Sequence, residues 1–191
     1  MLDATIERIP PTMIKILENK TVLVVDDDTP VRDFIEGFLG SQATQVTIAC
    51  AGNGNEAIDW MKSTVPDLVI LDLYMPVVDG YGVIDWMRHE PRTSDTPILV
   101  MTGFDDHQVE FDVLEAGADD FLSKPVESRQ FCARVNALLR SKERHDRVAA
   151  RLMLYKKAVK VFEKRLCSEI GDEATQRLFH DLLPDRTQYG D

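Results

Sequence analysis

The sequence predicts an α/β protein of the doubly wound class, with a long helix and a short terminal helix appended. Two periodicities alternate five times over about 120 residues, the pattern of strand–helix units in a parallel sheet. The strand candidates are near-continuous apolar runs, as expected where both faces of a sheet are covered. The segments between them repeat apolar residues at 3–4 spacing.

The first strand is the β-branched run Thr21–Val25, which ends in Asp26-Asp27-Asp28. A helix follows, with Val31, Phe34, Ile35, Phe38 and Leu39 on one face and Pro30 in the first turn, where proline is tolerated. Residues 44–49, Leu68–Leu71, 98–101 and Phe121-Leu122 read as strands two to five. Residues 55–61, 82–87 and 109–116 read as helices two to four, with Gly117 as a stop. Helix five begins around 126–128 and meets no Gly or Pro before Gly171.

The chain has 191 residues and a formal charge of −11, unevenly spread. Residues 1–139 carry 10 basic and 24 acidic side chains, residues 140–165 carry 10 and 3, and residues 166–191 carry 2 and 6. An acidic domain, a basic connector and an acidic tail follow from this. The acidic total argues against nucleic acid or an anionic membrane as a general partner, most weakly for residues 140–165. Cys50, Cys132 and Cys167 are scattered and odd in number, which suits a reducing cytoplasm better than a disulfide framework. No apolar run approaches the roughly 20 residues of a membrane span.

In open parallel sheets, ligands bind at the carboxyl ends of the strands. Asp26 and Asp27 follow strand one and Asp72 follows strand three. If those strands are neighbours, three carboxylates converge, and a hard divalent cation such as Mg²⁺ relieves their repulsion. Thr102 ends strand four, and Lys124 follows strand five. A hydroxyl and an ammonium beside a metal–carboxylate pocket make a site for a phosphoryl group. One carboxylate can serve as its nucleophile.

These residues carry a family resemblance. Residues 24–28, residues 71–80, Met101-Thr102-Gly103 and Lys124-Pro125 resemble, in order and spacing, the four signatures of response-regulator receiver domains of two-component phosphorelays. The resemblance covers residues 20–142. It implies a flavodoxin-like sheet in the order 2-1-3-4-5 and a phosphoacceptor, Asp72, that takes its phosphoryl group from a histidine kinase or phosphotransfer protein. It further implies Mg²⁺ held by Asp26, Asp27, Asp72 and the Tyr74 backbone carbonyl. Thr102 becomes the switch hydroxyl, Phe121 the switch aromatic and Lys124 the phosphate-pairing cation ahead of a cis proline bond. The family's side chains two places after acceptor and switch border the path of water. Tyr74 and Phe104 stand there, and two bulky rings are expected to slow hydrolysis of the phosphoaspartate. Asp28 and Asp79 read as loop or helix-capping residues rather than chemistry.

Residues 1–19 precede this domain as an extension. Beyond it, Val148, Leu152, Tyr155, Val159, Phe162 and Leu166 form a heptad-like seam. The expectation is a coiled-coil extension over 143–170 that makes a homodimer, with most basic residues off the seam. Residues 171–191 hold a short helix with Leu178, Phe179, Leu182 and Leu183, and Pro184 ends it. The stretch Ile170-Gly171-Asp172-Glu173-Ala174 only superficially resembles the GGDEF signature of diguanylate cyclases, since the first Gly and final Phe are missing. The leading reading is a phosphorylation-switched signalling protein, not an enzyme beyond its own phosphorylation and dephosphorylation. The alternatives are the regulatory front of a larger cyclase, phosphodiesterase or phosphatase, and nucleic-acid binding through the basic helix.

Overall fold

The computed structural model describes residues 16–103 and 107–171. The chain divides into two compact units, residues 1–143 and 144–191. The first holds one parallel sheet of five strands, β1 (Thr21–Val25), β2 (Thr47–Ala51), β3 (Leu68–Leu71), β4 (Ile98–Thr102) and β5 (Asp120–Ser123). Their order is β2-β1-β3-β4-β5, as the resemblance implied. The helices are α1 (Thr29–Gly40), α2 (Gly54–Met61), α3 (Gly80–His89), α4 (His107–Glu115) and α5 (Ser128–Ile170).

Element boundaries differ from the sequence reading where polar groups decide them. Asn53 and Asp79 accept hydrogen bonds from the N–H groups of Glu56 and Gly82 at 3.0 and 2.9 Å. These caps start α2 and α3 at Gly54 and Gly80, ahead of the first apolar residue of each pattern. β2 starts at Thr47, which pairs with Thr21; ahead of it the Gln45 carbonyl accepts the Asn19 N–H at 2.7 Å.

The sheet is apolar on both faces. One face packs Val22, Val24, Leu68, Ile70, Leu99 and Met101 against α1 and the first turns of α5. The other packs Leu23, Val25, Val69, Leu71, Ile98 and Val100 against α2 and α3, with Val113 of α4. Ile16 and Leu17 are buried in the first cluster, so the segment before β1 contributes to the core. Lys20 stands beside it, 3.5 Å from Asp67 and 3.6 Å from Glu143 of α5.

α5 is a single helix of 43 residues. It stops at Gly171, whose φ of +86° and N–H bond to the Cys167 carbonyl form a left-handed cap. Within the second unit, Val148, Leu152, Tyr155 and Phe162 are exposed, and Val159 and Leu166 are half-buried. The helix expected around Leu178–Leu183 lies outside the described residues. Among the described residues, no helix is long and apolar enough to cross a membrane.

At the amino ends of the strands, Arg88 closes the fold. Its guanidinium donates to the carbonyls of Gly117, Ser94 and Thr96 at 2.8, 2.9 and 2.8 Å. It also meets Asp119 Oδ2 at 2.8 Å, an oxygen that accepts from the Ile98 N–H at 2.8 Å as well. A lysine has no fork to reproduce this. Arg88→Lys is expected to lower stability by about 2 kcal/mol in urea unfolding, since it strands several carbonyls.

Candidate phosphoacceptor site

The sheet register builds the site. Val25 and Leu71 are paired neighbours on β1 and β3, so Asp26 and Asp72, the next residues, emerge side by side. Both are nearly inaccessible, at 3 % and 7 % exposure. Lys124 follows β5, and its N–H donates to the Thr102 carbonyl at 2.7 Å. Its Nζ then reaches across to Asp26 Oδ2 at 2.7 Å and Asp72 Oδ1 at 2.8 Å. The remaining carboxylate oxygens accept backbone N–H groups: Asp26 Oδ1 from Asp28 and Asp72 Oδ2 from Tyr74, both at 2.9 Å. The Lys124–Pro125 bond is cis, as the resemblance implied.

The electrostatics follow from this arrangement. Burial pushes the Asp72 carboxyl above the ordinary carboxylate range, and Asp26 adds to the rise; the bonds from Lys124 and the Tyr74 N–H pull the other way without cancelling it. Burial also works against the Lys124 ammonium, but its bonds to Asp26 and Asp72 outweigh that and hold its pKa up. Both rise for different reasons: burial outweighs the lysine at Asp72, and two carboxylates outweigh burial at Lys124.

Thr102 is fully buried at the end of β4, and among the described residues its Oγ1 has no hydrogen-bond partner. An unsatisfied buried hydroxyl is uncommon in folded proteins. Here it lies at the same strand ends as Lys124 and Asp72. Phe121 is half-buried on β5 and packs against the second core cluster. Tyr74 is half-exposed, and Phe104 lies outside the described residues.

The expected convergence of three carboxylates is met by two. Asp27 is exposed, and among the described residues no three His, Cys, Asp or Glu side chains are gathered to hold a metal ion. The Lys124 ammonium stands between Asp26 and Asp72 and offsets one of their two charges. The donors within the turn are nonetheless all hard oxygens, the set that suits Mg²⁺.

Sequence reasoning missed Arg32. Its Nη1 donates to the Asp26 carbonyl at 2.6 Å and its Nη2 to Thr29 Oγ1 at 2.9 Å, fixing the turn that carries the acids. The signal was available: a cation in the first turn of a helix opposes the macrodipole and needs a local reason. An apolar cavity of about 190 Å³ also adjoins the site between α1 and the β5–α5 turn, lined by Phe34, Phe38, Val126, Phe131 and the Lys124 stem.

Because the folded protein raises the Asp72 pKa, the ionised carboxylate opposes folding at neutral pH. Without divalent cations, Asp72→Asn is therefore expected to raise Tm at pH 7. The gain should shrink as pH falls through the raised value and vanish below the ordinary carboxylate pKa, where wild-type Asp72 is protonated in both states. Thermal melts across that range check both signs.

Comparison with known proteins agrees with the fold. A family model described as the response regulator receiver domain matches residues 22–136. The DNA-binding dual master transcriptional regulator RpaA of Synechocystis is 35% identical over 128 residues, which are 67% of this chain and 52% of that protein. A probable transcriptional regulator, ycf27, of Porphyridium aerugineum is 37% identical over 124 residues, 65% of this chain and 50% of that protein. The chain thus spans about half the length of the curated relatives it matches. A two-component response regulator from Clostridium difficile superposes with TM-score 0.58 at 30% identity, covering 63% of this chain and 96% of that one. The receiver domain of a histidine kinase from Syntrophus aciditrophicus gives TM-score 0.58 at 30% identity, covering 64% and 91%. With more than half of its length matched, on this sheet order and these strand-end residues, the chain belongs to the response regulator receiver domain family.

Proposed function

We propose that the chain is a two-component response regulator whose Asp72 accepts a phosphoryl group from a histidine kinase or phosphotransfer protein. The observation that carries this is the lysine-bridged pair of buried carboxylates, with a buried Thr102 hydroxyl at the same strand ends that has no partner among the described residues. An Asp72 oxygen attacks phosphorus, the P–N bond of the phosphohistidine breaks, and the imidazole keeps the bonding pair. Lys124 pairs with the phosphoryl oxygens, and Thr102 donates its hydroxyl to one of them. Asp26, Asp27, Asp72 and the Tyr74 carbonyl would hold Mg²⁺, which supplies neutralisation of the charge gathered in the transition state. Phe121 moves toward the space Thr102 leaves. The protein works in the cytoplasm, and the reactions at Asp72 are its only chemistry.

The output reading is a homodimer through residues 143–170. The exposed apolar seam of Val148, Leu152, Tyr155 and Phe162 supports it, because such a row is stable in water only when covered. Nucleic acid is a weaker exclusion than the total charge implied. The Synechocystis relative is DNA-binding by name, and Lys156, Lys157, Lys160 and Lys164 are exposed away from the seam. DNA affinity that falls steeply with salt would establish that contact, and its absence at low salt would dismiss it.

Incubation with acetyl phosphate and Mg²⁺ is expected to add one phosphoryl group to the wild type. Asp72→Ala should add none, and EDTA should abolish the reaction; a labelled Asp72→Ala protein contradicts the acceptor assignment. Tyr74→Asn should shorten the phosphoaspartate lifetime several-fold if the ring hinders water. Light scattering with beryllofluoride and Mg²⁺ should report a dimer that Leu152→Lys disrupts, whereas a monomer under every condition defeats the seam.

A further inference from the structure

Val77 is held in a conformation that β-branched residues avoid. Its φ is +74°, and the Val78 N–H donates to the Pro76 carbonyl at 3.0 Å, so it centres a γ-turn of the rare, strained hand. The loop that holds it is closed and closely packed at its ends. The loop is closed at its ends by the Gly80 N–H to the Leu73 carbonyl at 2.8 Å. Any Cβ at Gly80 would lie 2.6 Å from the Asp72 carbonyl oxygen, and any at Gly54 2.6 Å from that of Val78. Yet the Val77 side chain is 79 % exposed. Asn or Gly would make the same turn with less strain. With most of its surface in solvent, the valine side chain adds little to the packing of the described residues.

The acceptor's burial says what could use it. Asp72 is 7 % exposed, so a phosphohistidine must reach down to it, and the protein that carries the imidazole must close on the rim. The closed loop from Leu73 to Gly80 is part of that rim, and Tyr74, Pro76 and Val77 are exposed on it, Val77 the most of the large hydrophobics. We propose that Val77 is a docking and specificity residue for the phosphohistidine protein that donates to Asp72. The proposal rests on Asp72 being the acceptor. The γ-turn fixes the valine in place before the donor arrives, so little conformational freedom is lost on contact.

The test compares full-length wild type, Val77→Asn and Val77→Asp with two donors. One is acetyl phosphate with Mg²⁺, too small to touch the rim. The other is a purified, phosphorylated histidine-phosphotransfer protein that labels wild-type Asp72. With the protein donor, kcat/KM should fall about tenfold in Val77→Asn and further in Val77→Asp, through KM, while acetyl phosphate rates stay within about twofold. Val77→Asn should also melt no lower than the wild type, which separates lost contact from lost folding. Equal transfer to all three chains from the protein donor overturns the proposal. An equal fall with both donors also overturns it, and makes Val77 a positioning residue for Asp72. A wild type that neither donor labels at Asp72 removes the acceptor reading and the proposal with it.

Discussion

Two carboxylates at adjacent strand ends repel, and the carboxyl edge of this sheet is organised around one ammonium that keeps them together. Lys124 sits 2.7 Å from Asp26 and 2.8 Å from Asp72. Everything that places it is backbone: the pairing of β4 with β5, the Lys124 N–H on the Thr102 carbonyl, and the turn into α5. The two acids are placed with the same economy by β1 and β3. Core packing on both faces therefore sets the geometry of charges it never touches. Burial makes each ionised group unfavourable alone, so acids and lysine are mutually dependent.

Much of this was legible in the sequence because it rests on periodicity and strand-end chemistry. Five apolar runs gave the sheet, and Asp26, Asp72, Thr102 and Lys124 stood at their ends. What could not be read is what depends on three-dimensional approach. Asp27 is adjacent to Asp26 in the chain, but successive residues leaving a strand point different ways, so one acid turns inward and the other to solvent. Arg88 reads as one more charged helix residue, yet it ties together four loop groups. Ile16 and Leu17 precede the family signatures and lie outside the matched residues, so only packing reveals them as core. Polar caps, rather than apolar pattern, set the starts of α2 and α3.

α5 was predicted as one helix because nothing in it breaks a helix before Gly171, and it forms as one. Its two parts answer to different rules. Phe131, Cys132, Val135, Leu138 and Leu139 are buried, and the helix there is stabilised by packing on the sheet. Beyond Glu143 the apolar residues keep a seven-residue repeat, but Val148, Leu152 and Tyr155 remain exposed. Helices owe most of their stability to a packed face. A seam of this period supplies one when another helix lies along it.

The site holds one more imbalance, and it concerns the hydroxyl rather than the charges. Thr102 is buried without a partner among the described residues, while each Asp72 oxygen already has a donor, Oδ1 from Lys124 and Oδ2 from the Tyr74 N–H. The site therefore satisfies the Asp72 acceptors and leaves the Thr102 donor idle. On the proposed reading, a phosphoryl group on Asp72 would bring three acceptor oxygens and reverse this, giving Thr102 an acceptor and competing for Lys124. Lys124 and Thr102 are joined through backbone, and Ser128, four residues after Lys124, begins α5. A shift in what the lysine and the hydroxyl bond is thus felt first at β4, β5 and the turn into α5, by a path of adjacent covalent and hydrogen-bonded groups.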